Sequence, residues 1–477
     1  MQNRKYYPPQ FTVFLYLLPR IKGDAVMEEN DFALLYDLLE KGDLFALHEQ
    51  LSKMNEVDIA DFLTEVSDET QIMTIFRVLP KDLSADVFSY LEPEDQLRIV
   101  SSFSDAELYG LVDTLALDDV VDFLEEVPAN IVSRVLSNTD QNTRRMINAF
   151  LRYPENSAGS IMTNEMVELH DRLTVAQAIE KIRSGGDDKE TIYTAYIIDN
   201  GRHLTGTISL QDILLSDDNE YIKDIMDDQD QVISVHTLDD QEQVAEVVKK
   251  YDLLAVPVVD NEERLVGIVT IDDVIDIIED EATEDFEKMA ALVPSDELYL
   301  KTPVLTLVKN RIGWLLVLMI SATLTSTIIN SFESMLAVVT GLTASIPLIT
   351  GTGGNAGTQS STIAIRSLAL GEITTKDYLK VVFKEFRVAL ICGAILAGVN
   401  FGRMVLFHVP GSMSVYFVTC LSMFFAVIVA KTVGCSLPML AKLIKIDPAV
   451  MAGAMISTID DALTLLIYFS LAKAFLL

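Results

Sequence analysis

Two adjacent aspartates, Asp460 and Asp461, lie in the apolar run STIDDALT (Ser457–Thr464), with no Lys or Arg within ten positions. A carboxylate inside a membrane-type segment is costly and marks a functional site by default. A hard divalent cation with oxygen ligands is its natural partner; a hydrogen bond to a neighbouring helix is the ordinary alternative. A second unusual run is GTGGNAGTQ, Gly351 to Gln359, where four glycines and Asn355 close an apolar stretch that opens at Met335. Polar, glycine-rich backbone at membrane depth is tolerated only where protein or a water-filled cavity solvates it. The run therefore predicts a break in the helix that lines a conduction pathway. A third acidic feature is IDDVIDIIEDEATEDFEKMAAL, Ile271–Leu292, where Asp273, Asp276, Asp280 and Glu284 fall at i, i+3, i+7 and i+11 on one helical face. Like charges at such spacing destabilise an isolated helix by a few tenths of a kcal/mol per pair. Either cations offset that repulsion or the face is simply solvated. Asp447, in IDPAV, could be no more than an N-cap before Pro448, but it stands at the mouth of the last apolar segment.

Five apolar segments, at roughly 312–331, 335–359, 388–407, 414–437 and 448–471, are to place these groups. Lys309 and Arg311 precede the first; Arg366, Lys376, Lys380, Lys384 and Arg387 follow the second; Lys442 and Lys445 follow the fourth. The intervening links Ser331–Ser334 and His408–Ser412 carry no Lys or Arg. By the positive-inside rule the N-terminal half is cytoplasmic and the C-terminus lies across the membrane. Ahead of the segments, Asp31–Arg152 reads as short capped amphipathic helices such as SDAELYGLVDTL and ALDDVVDFLEEV, a pattern that stacks into a superhelix. Most of its acids read as a solvated face.

Between Ile161 and Ile278 a repeat of about 61 residues appears: TAYIIDNGRHLTGTISLQDILL (Thr194–Leu215) and AVPVVDNEERLVGIVTIDDVID (Ala255–Asp276). Each copy reads strand, turn, strand, helix, with Gly206 matching Gly267, Ser209 matching Thr270 and Asp212 matching Asp273. This resembles a tandem pair of CBS domains, a module that often binds adenosine nucleotides; Asp212 and Asp273 could equally be helix caps.

The charge is divided unevenly. Of 36 Lys+Arg and 71 Asp+Glu, residues 301–477 hold 13 and 7, a balance of +6; residues 1–300 hold the remaining 23 and 64, a balance of -41. So acidic a half argues against nucleic acid and anionic lipid surfaces as its partners and favours cations. Cys392, Cys420 and Cys435 all lie in apolar segments, which fits a reducing cytoplasm without a disulfide framework. No P-loop is present and the five histidines lack metal-ligand spacing, so neither ATP-driven pumping nor an enzymatic activity is expected. Residues 1–30 read as an N-terminal extension; its patch Phe11–Leu18 is short and lacks a small-residue cleavage site, so a signal peptide is not expected, and Met27 is an equally good start.

The order of parts, with the motifs PLITGTGGNAGTQ (Pro347–Gln359), EATED (Glu281–Asp285), DPA (Asp447–Ala449) and TIDD followed by LLIYF (Leu465–Phe469), resembles the MgtE family of magnesium channels over nearly the whole chain after residue 30. The resemblance implies a multidomain fold. An all-α superhelical domain (31–157), an α/β tandem CBS pair (158–278), an acidic connecting helix (279–305) and a pore domain of five transmembrane helices (306–477) follow the extension. It implies a Mg²⁺-selective channel in the cytoplasmic membrane, a lipid-embedded homodimer closed by intracellular Mg²⁺, with ATP possible at the CBS pair. Asp461 matches the ion-selecting acid, with Gly354 and Asn355 beside it on the pore wall. Asp240, Glu242 and Asp252 match sensor acids of the second CBS domain. Asp273, Asp276, Glu281, Glu284 and Asp285 match those of the junction, Asp447 the acid of the mouth, and Asp118 a further acid in the helical array. Asp460 departs from the family, which typically has a small polar residue there. A channel for another divalent ion such as Co²⁺, or a non-conducting membrane-anchored sensor of Mg²⁺ or nucleotide, are the alternatives.

Overall fold

The structure, a computed structural model, describes residues 29–186, 189–228, 232–295, 299–300, 302–339 and 341–477. The Phe11–Leu18 patch and Met27 lie outside the described residues. The chain divides into two units, Met1–Val274 and Ile275–Leu477.

In the first unit, ten described helices of 8–13 residues, α1 (Glu29–Lys41) to α10 (Gln141–Phe150), follow one another across short turns. Short polar residues start many of them. Asp43, Asn55, Asp68 and Asp140 accept backbone N–H groups, and Ser104 forms a capping box with Glu107. Each helix is too short to be stable alone, so it is held by the helix two places on: α2, α4, α6, α8 and α10 make one row, and α3, α5, α7 and α9 the other. Phe76, Phe88, Phe103 and Phe123 thread the core, with ring centroids 5.3–6.3 Å apart.

The repeat forms two sheets. In the first, β1 (Val167–Leu169) runs parallel to β2 (Thr194–Ile198), which pairs antiparallel with β3 (Leu204–Ser209) and then β4 (Asp227–Asp228). In the second, β5 (Val235–His236) runs parallel to β6 (Ala255–Val259), antiparallel to β7 (Leu265–Thr270). Registers Thr194↔Ser209 and Ala255↔Thr270 correspond, and both copies shift register near the strand end, at Ile197/Ile198 and Val258/Val259. The copies meet at their hairpins, where Leu204 N donates to Glu263 O and Leu265 N to Arg202 O. Helices α11 (Val175–Gly185), α12 (Leu210–Leu215), α13 (Ile222–Ile225) and α14 (Gln241–Tyr251) accompany the strands. α15 (Ile271–Met289) leaves β7 directly.

The second unit contains α16 (Val304–Ser331), α17 (Glu333–Val338), α18 (Leu342–Ala369), α19 (Tyr378–Leu406), α20 (Met413–Leu443) and α21 (Gly453–Leu476). Among the described residues four stretches are long and apolar enough to cross a membrane: Val304–Ser331, Thr375–Leu406, Met413–Leu443 and Pro448–Leu476. α18 matches them in length, with 28 residues, but Gly, Ser and Thr dilute its hydropathy. α20 is central, packed by α18, α19 and α21, whereas α16 has no buried residue.

One expectation is overturned here. The glycine run does not break the helix: α18 continues through Pro347, Gly351, Gly353, Gly354 and Gly357 to Ala369. A helical glycine costs only about 1 kcal/mol relative to alanine, and close interhelical packing recovers it. A Cβ on Gly434 of α20 would stand 2.3 Å from the carbonyl oxygen of Gly357, and one on Gly353 would stand 2.6 Å from Thr464 Oγ1. The glycines let α18 and α20 touch backbone to backbone and let side chains of α21 seat directly on α18, the small-residue contact of membrane bundles.

Candidate functional site

Carboxylates gather in three places. The first is in the helical unit, where α8 (Leu117–Glu126) opens without a side-chain cap and carries Asp118 and Asp119 in its first turn and Asp122 in the next. Asp273 of α15 and Glu190, from the loop before β2, bear on them electrostatically. Asp118 Oδ1 is buried without a hydrogen-bond partner. Restricted solvation on the seam side, partly offset by its own backbone N–H and reinforced by Asp273 and Glu165, holds Asp118 up to about 6. The same loss of water, then the charges of Asp118 and Asp122, pushes Asp119 to about 8. Asp122 and Glu190 are held up to about 7, first by desolvation and then by Asp118 among other acids. Thr270 Oγ1 donates to Asp273 Oδ2 across 2.7 Å, so Asp273 also serves the start of α15.

The second cluster joins the lower part of α15 to the approach to α21. Asp447 caps the 3₁₀ turn Pro448–Met451, its Oδ1 2.8 Å from Ala449 N. Its other oxygen takes a hydrogen bond of 2.7 Å from Lys288 Nζ, which lies 2.6 Å from Glu284 as well. Burial alone would lower the Lys288 pKa, but the hydrogen bonds of the two acids outweigh it and raise the ammonium above its ordinary range. Burial and then the charge of Asp447 push neighbouring Asp285 up to about 6, with Lys288 opposing and Glu281 and Glu284 adding.

The third lies in the helix bundle. Asp461 on α21 is half-buried, whereas Asp460 is fully enclosed. Ser457, one turn before Asp461, packs against Gly354 and lies 3.4 Å from Thr358 Oγ1. α18 turns Asn355, Gln359, Thr362 and Arg366 outward as an exposed polar stripe, while Gly354 faces Ser457 in the helix contact. Elsewhere in the bundle Ser360 donates to Glu385 across 2.6 Å, and Lys431 Nζ lies 3.2 Å from Ser360 and 3.7 Å from Glu385. Among the described residues no three His, Cys, Asp or Glu side chains converge as a ready-made metal cage.

The family model for the MgtE intracellular N domain matches residues 54–156, the CBS model matches 158–217 and 222–280, and the divalent cation transporter model matches 346–471. The magnesium transporter MgtE of Thermus thermophilus is 36% identical over 454 residues, 94% of this chain and 99% of that protein. This chain belongs to the MgtE family of magnesium transporters. The MgtE of Bacillus subtilis is 31% identical over 439 residues, 92% of this chain and 96% of that one. A crystal structure of the soluble part of a magnesium transporter superposes with TM-score 0.51 at 33% identity, covering 53% of this chain and 99% of that one.

Within this MgtE chain the expected residues sort into different places. Asp118 and Asp273 meet at the seam, and Asp447, Glu284 and Asp285 meet at the mouth. Asp240 caps α14 and accepts a hydrogen bond from Glu242 N at 3.0 Å, whereas Asp252 is the left-handed C-cap at the far end of that 11-residue helix. At 1.5 Å per residue those ends are about 17 Å apart, so one chain does not bring the three together. Asp276 is exposed on α15. Sequence reasoning passed over Asp119, Asp122, Glu190 and Lys288. The doubled Asp118–Asp119 at a helix start and the i, i+4 pair Glu284–Lys288 were the available signals.

Proposed function

We propose that this MgtE chain is a passive, Mg²⁺-selective channel of the cytoplasmic membrane, closed by intracellular Mg²⁺ bound to its acidic domains. The observation that carries the reading is the half-open Asp461 in an apolar bundle whose α18 exposes Asn355 and Gln359. A membrane anchor has no use for a polar stripe at that depth. Mg²⁺ sheds its water reluctantly, so a carboxylate that faces an opening without a cage of further ligands suits a hydrated ion.

Closure by Mg²⁺ is supported by the seam and the mouth. Asp118, Asp119, Asp122 and Glu190 crowd together beside Asp273, and lost water and mutual charge raise the pKa values of these four, an arrangement that a bound cation would relieve. Bound Mg²⁺ converts that repulsion into bridged contact and favours the compact state, provided it binds that state better. About five weak ions, each worth roughly 1 kcal/mol of difference, supply the ~5.5 kcal/mol that turns a 1:99 population into 99:1. Asp276 and Glu281 add to the charge of the connecting helix, and Asp240, Glu242 and Asp252 to that of the second CBS domain. The homodimer, the cytoplasmic placement of 31–305, the far-side C-terminus and ATP binding at the CBS pair complete the reading.

Flux into liposomes with Mg²⁺ set independently on the two faces tests it. Downhill Mg²⁺ flux that stops when the face bearing the acidic domains is raised in Mg²⁺ is the expected result. No flux would leave a membrane-anchored sensor, and preference for Co²⁺ would replace the ion.

A further inference from the structure

Asp460 is wholly buried, and neither of its carboxylate oxygens has a hydrogen-bond partner. Burying a polar group unpaired carries a free-energy penalty, so what its side chain touches is informative. It presses on Gly357 of α18: a Cβ there would stand 1.7 Å from Asp460 Oδ2 and 3.0 Å from Ile456 Cγ2. On its other side Gly357 meets α20, where a Cβ on Gly434 would stand 2.3 Å from the Gly357 carbonyl oxygen. The Asp460 side chain thus fills the space that the missing Cβ leaves, at the point where three helices meet. Gly353 against Thr464 and Thr358 against Ser457 continue the same seam on either side. Lys431, a buried cation of the bundle, is engaged with Ser360 and Glu385.

We propose that Asp460 is a positioning residue for Asp461: seated on Gly357, it fixes the rotation of α21 and so turns the next carboxylate out of the bundle. Successive helical residues point about 100° apart, so a side chain locked into one seam dictates where its neighbour faces. A smaller residue at 460 leaves α21 free to rotate, and Asp461 then samples orientations that meet the ion less well. Gly357 is the other half of the device, because any larger residue collides with the carboxylate. The inference rests on the reading of Asp461 as the ion-selecting residue.

The test uses the full chain in liposomes with the variants Gly357→Ala, Asp460→Ala, the double variant, Asp460→Asn and Asp461→Ala, with Mg²⁺ as the probe. Gly357→Ala is expected to lower flux at least about tenfold through overpacking, and adding Asp460→Ala restores it to within roughly threefold. Asp460→Ala alone raises half-saturating Mg²⁺ about tenfold with maximal flux within roughly threefold, the pattern of lost binding geometry. Asp460→Asn, which keeps the shape, retains the half-saturation of the parent. If Gly357→Ala does not accumulate as folded protein, its recovery by Asp460→Ala supports the contact, and the half-saturation of Asp460→Ala alone decides the positioning. A harmless Gly357→Ala, a double variant that is not rescued, or an unchanged half-saturation in Asp460→Ala overturns the proposal. If Asp461→Ala keeps full flux, the reading of Asp461 falls and the positioning role with it. If Asp461→Ala is dead while the rescue fails, positioning alone is wrong.

Discussion

At Asp447 a lysine stands where a metal ion was expected. Lys288 Nζ lies 2.7 Å from Asp447 and 2.6 Å from Glu284, so this acidic mouth carries its own internal cation. Among the described residues no cationic side chain pairs with Asp461, which leaves its half-buried carboxylate open to an ion. Asp461→Ala should abolish Mg²⁺ uptake in cells lacking other importers while the purified protein elutes as the parent does; undiminished uptake would remove the residue from the pathway. Glycine carries a comparable burden in the packing. Gly434→Ala forces a methyl into the Gly357 carbonyl, 2.3 Å away, where backbone cannot step aside as a flexible side chain can. Overpacking of that kind costs about 1–3 kcal/mol, and a lower thermal unfolding midpoint in detergent, relative to Gly398→Ala with open space around it, is the expected reading.

Among the elements, α8 gathers Asp118, Asp119 and Asp122 in its first two turns, where burial and mutual charge raise their carboxyls. Asp119 near 8, with Asp122 and Glu190 near 7 and Asp118 near 6, all lie above the ordinary carboxylate value. A carboxyl raised in the folded state keeps its proton there at a pH where the unfolded chain has lost it, so folding stability falls as pH rises between the two values. Without divalent cations the full chain should therefore unfold at lower temperature at pH 8 than at pH 5, and millimolar Mg²⁺ should flatten the difference. Unfolding that is equally pH-sensitive with and without Mg²⁺ would mean that the seam binds no cation. α18 makes a complementary point about glycine in helices. Asn355, Gln359, Thr362 and Arg366 face outward while Gly353, Gly354, Ala356, Gly357, Ser360 and Ser361 are buried, so one unbroken helix both packs and presents a polar stripe.

For the molecule as a whole, the proposed closure by Mg²⁺ needs the acidic domains to report to the bundle, and α15 is the covalent link through which they would do so. Replacing Glu281, Glu284 and Asp285 together by their amides should leave Mg²⁺ current flowing when the acidic face is bathed in high Mg²⁺. Closure that survives the triple change would make the helix a solvated strut. The overall plan was legible in the sequence because it is written in periodicities: helical spacing with caps from Asp31 to Arg152, a doubled strand–turn–strand unit, and long apolar runs separated by basic links. The repeat even carried its register irregularity into both copies.

The site was legible in part. Asp461, Asp447 and the acids of α15 stood out because ionisable residues in or beside apolar segments are costly and rare. Asp119, Asp122 and Glu190 did not, since an acid on a short amphipathic helix looks the same whether it faces water or another domain. Sequence alone determined which residues carry charge and which segments are apolar, for those are local properties of composition and spacing. Only the tertiary structure decided that the glycine run stays helical, that Lys288 answers Asp447, and that Asp460 turns inward while Asp461 does not. Each of those depends on which distant surface arrives opposite a given side chain, and that is set by packing across more than a hundred residues of sequence.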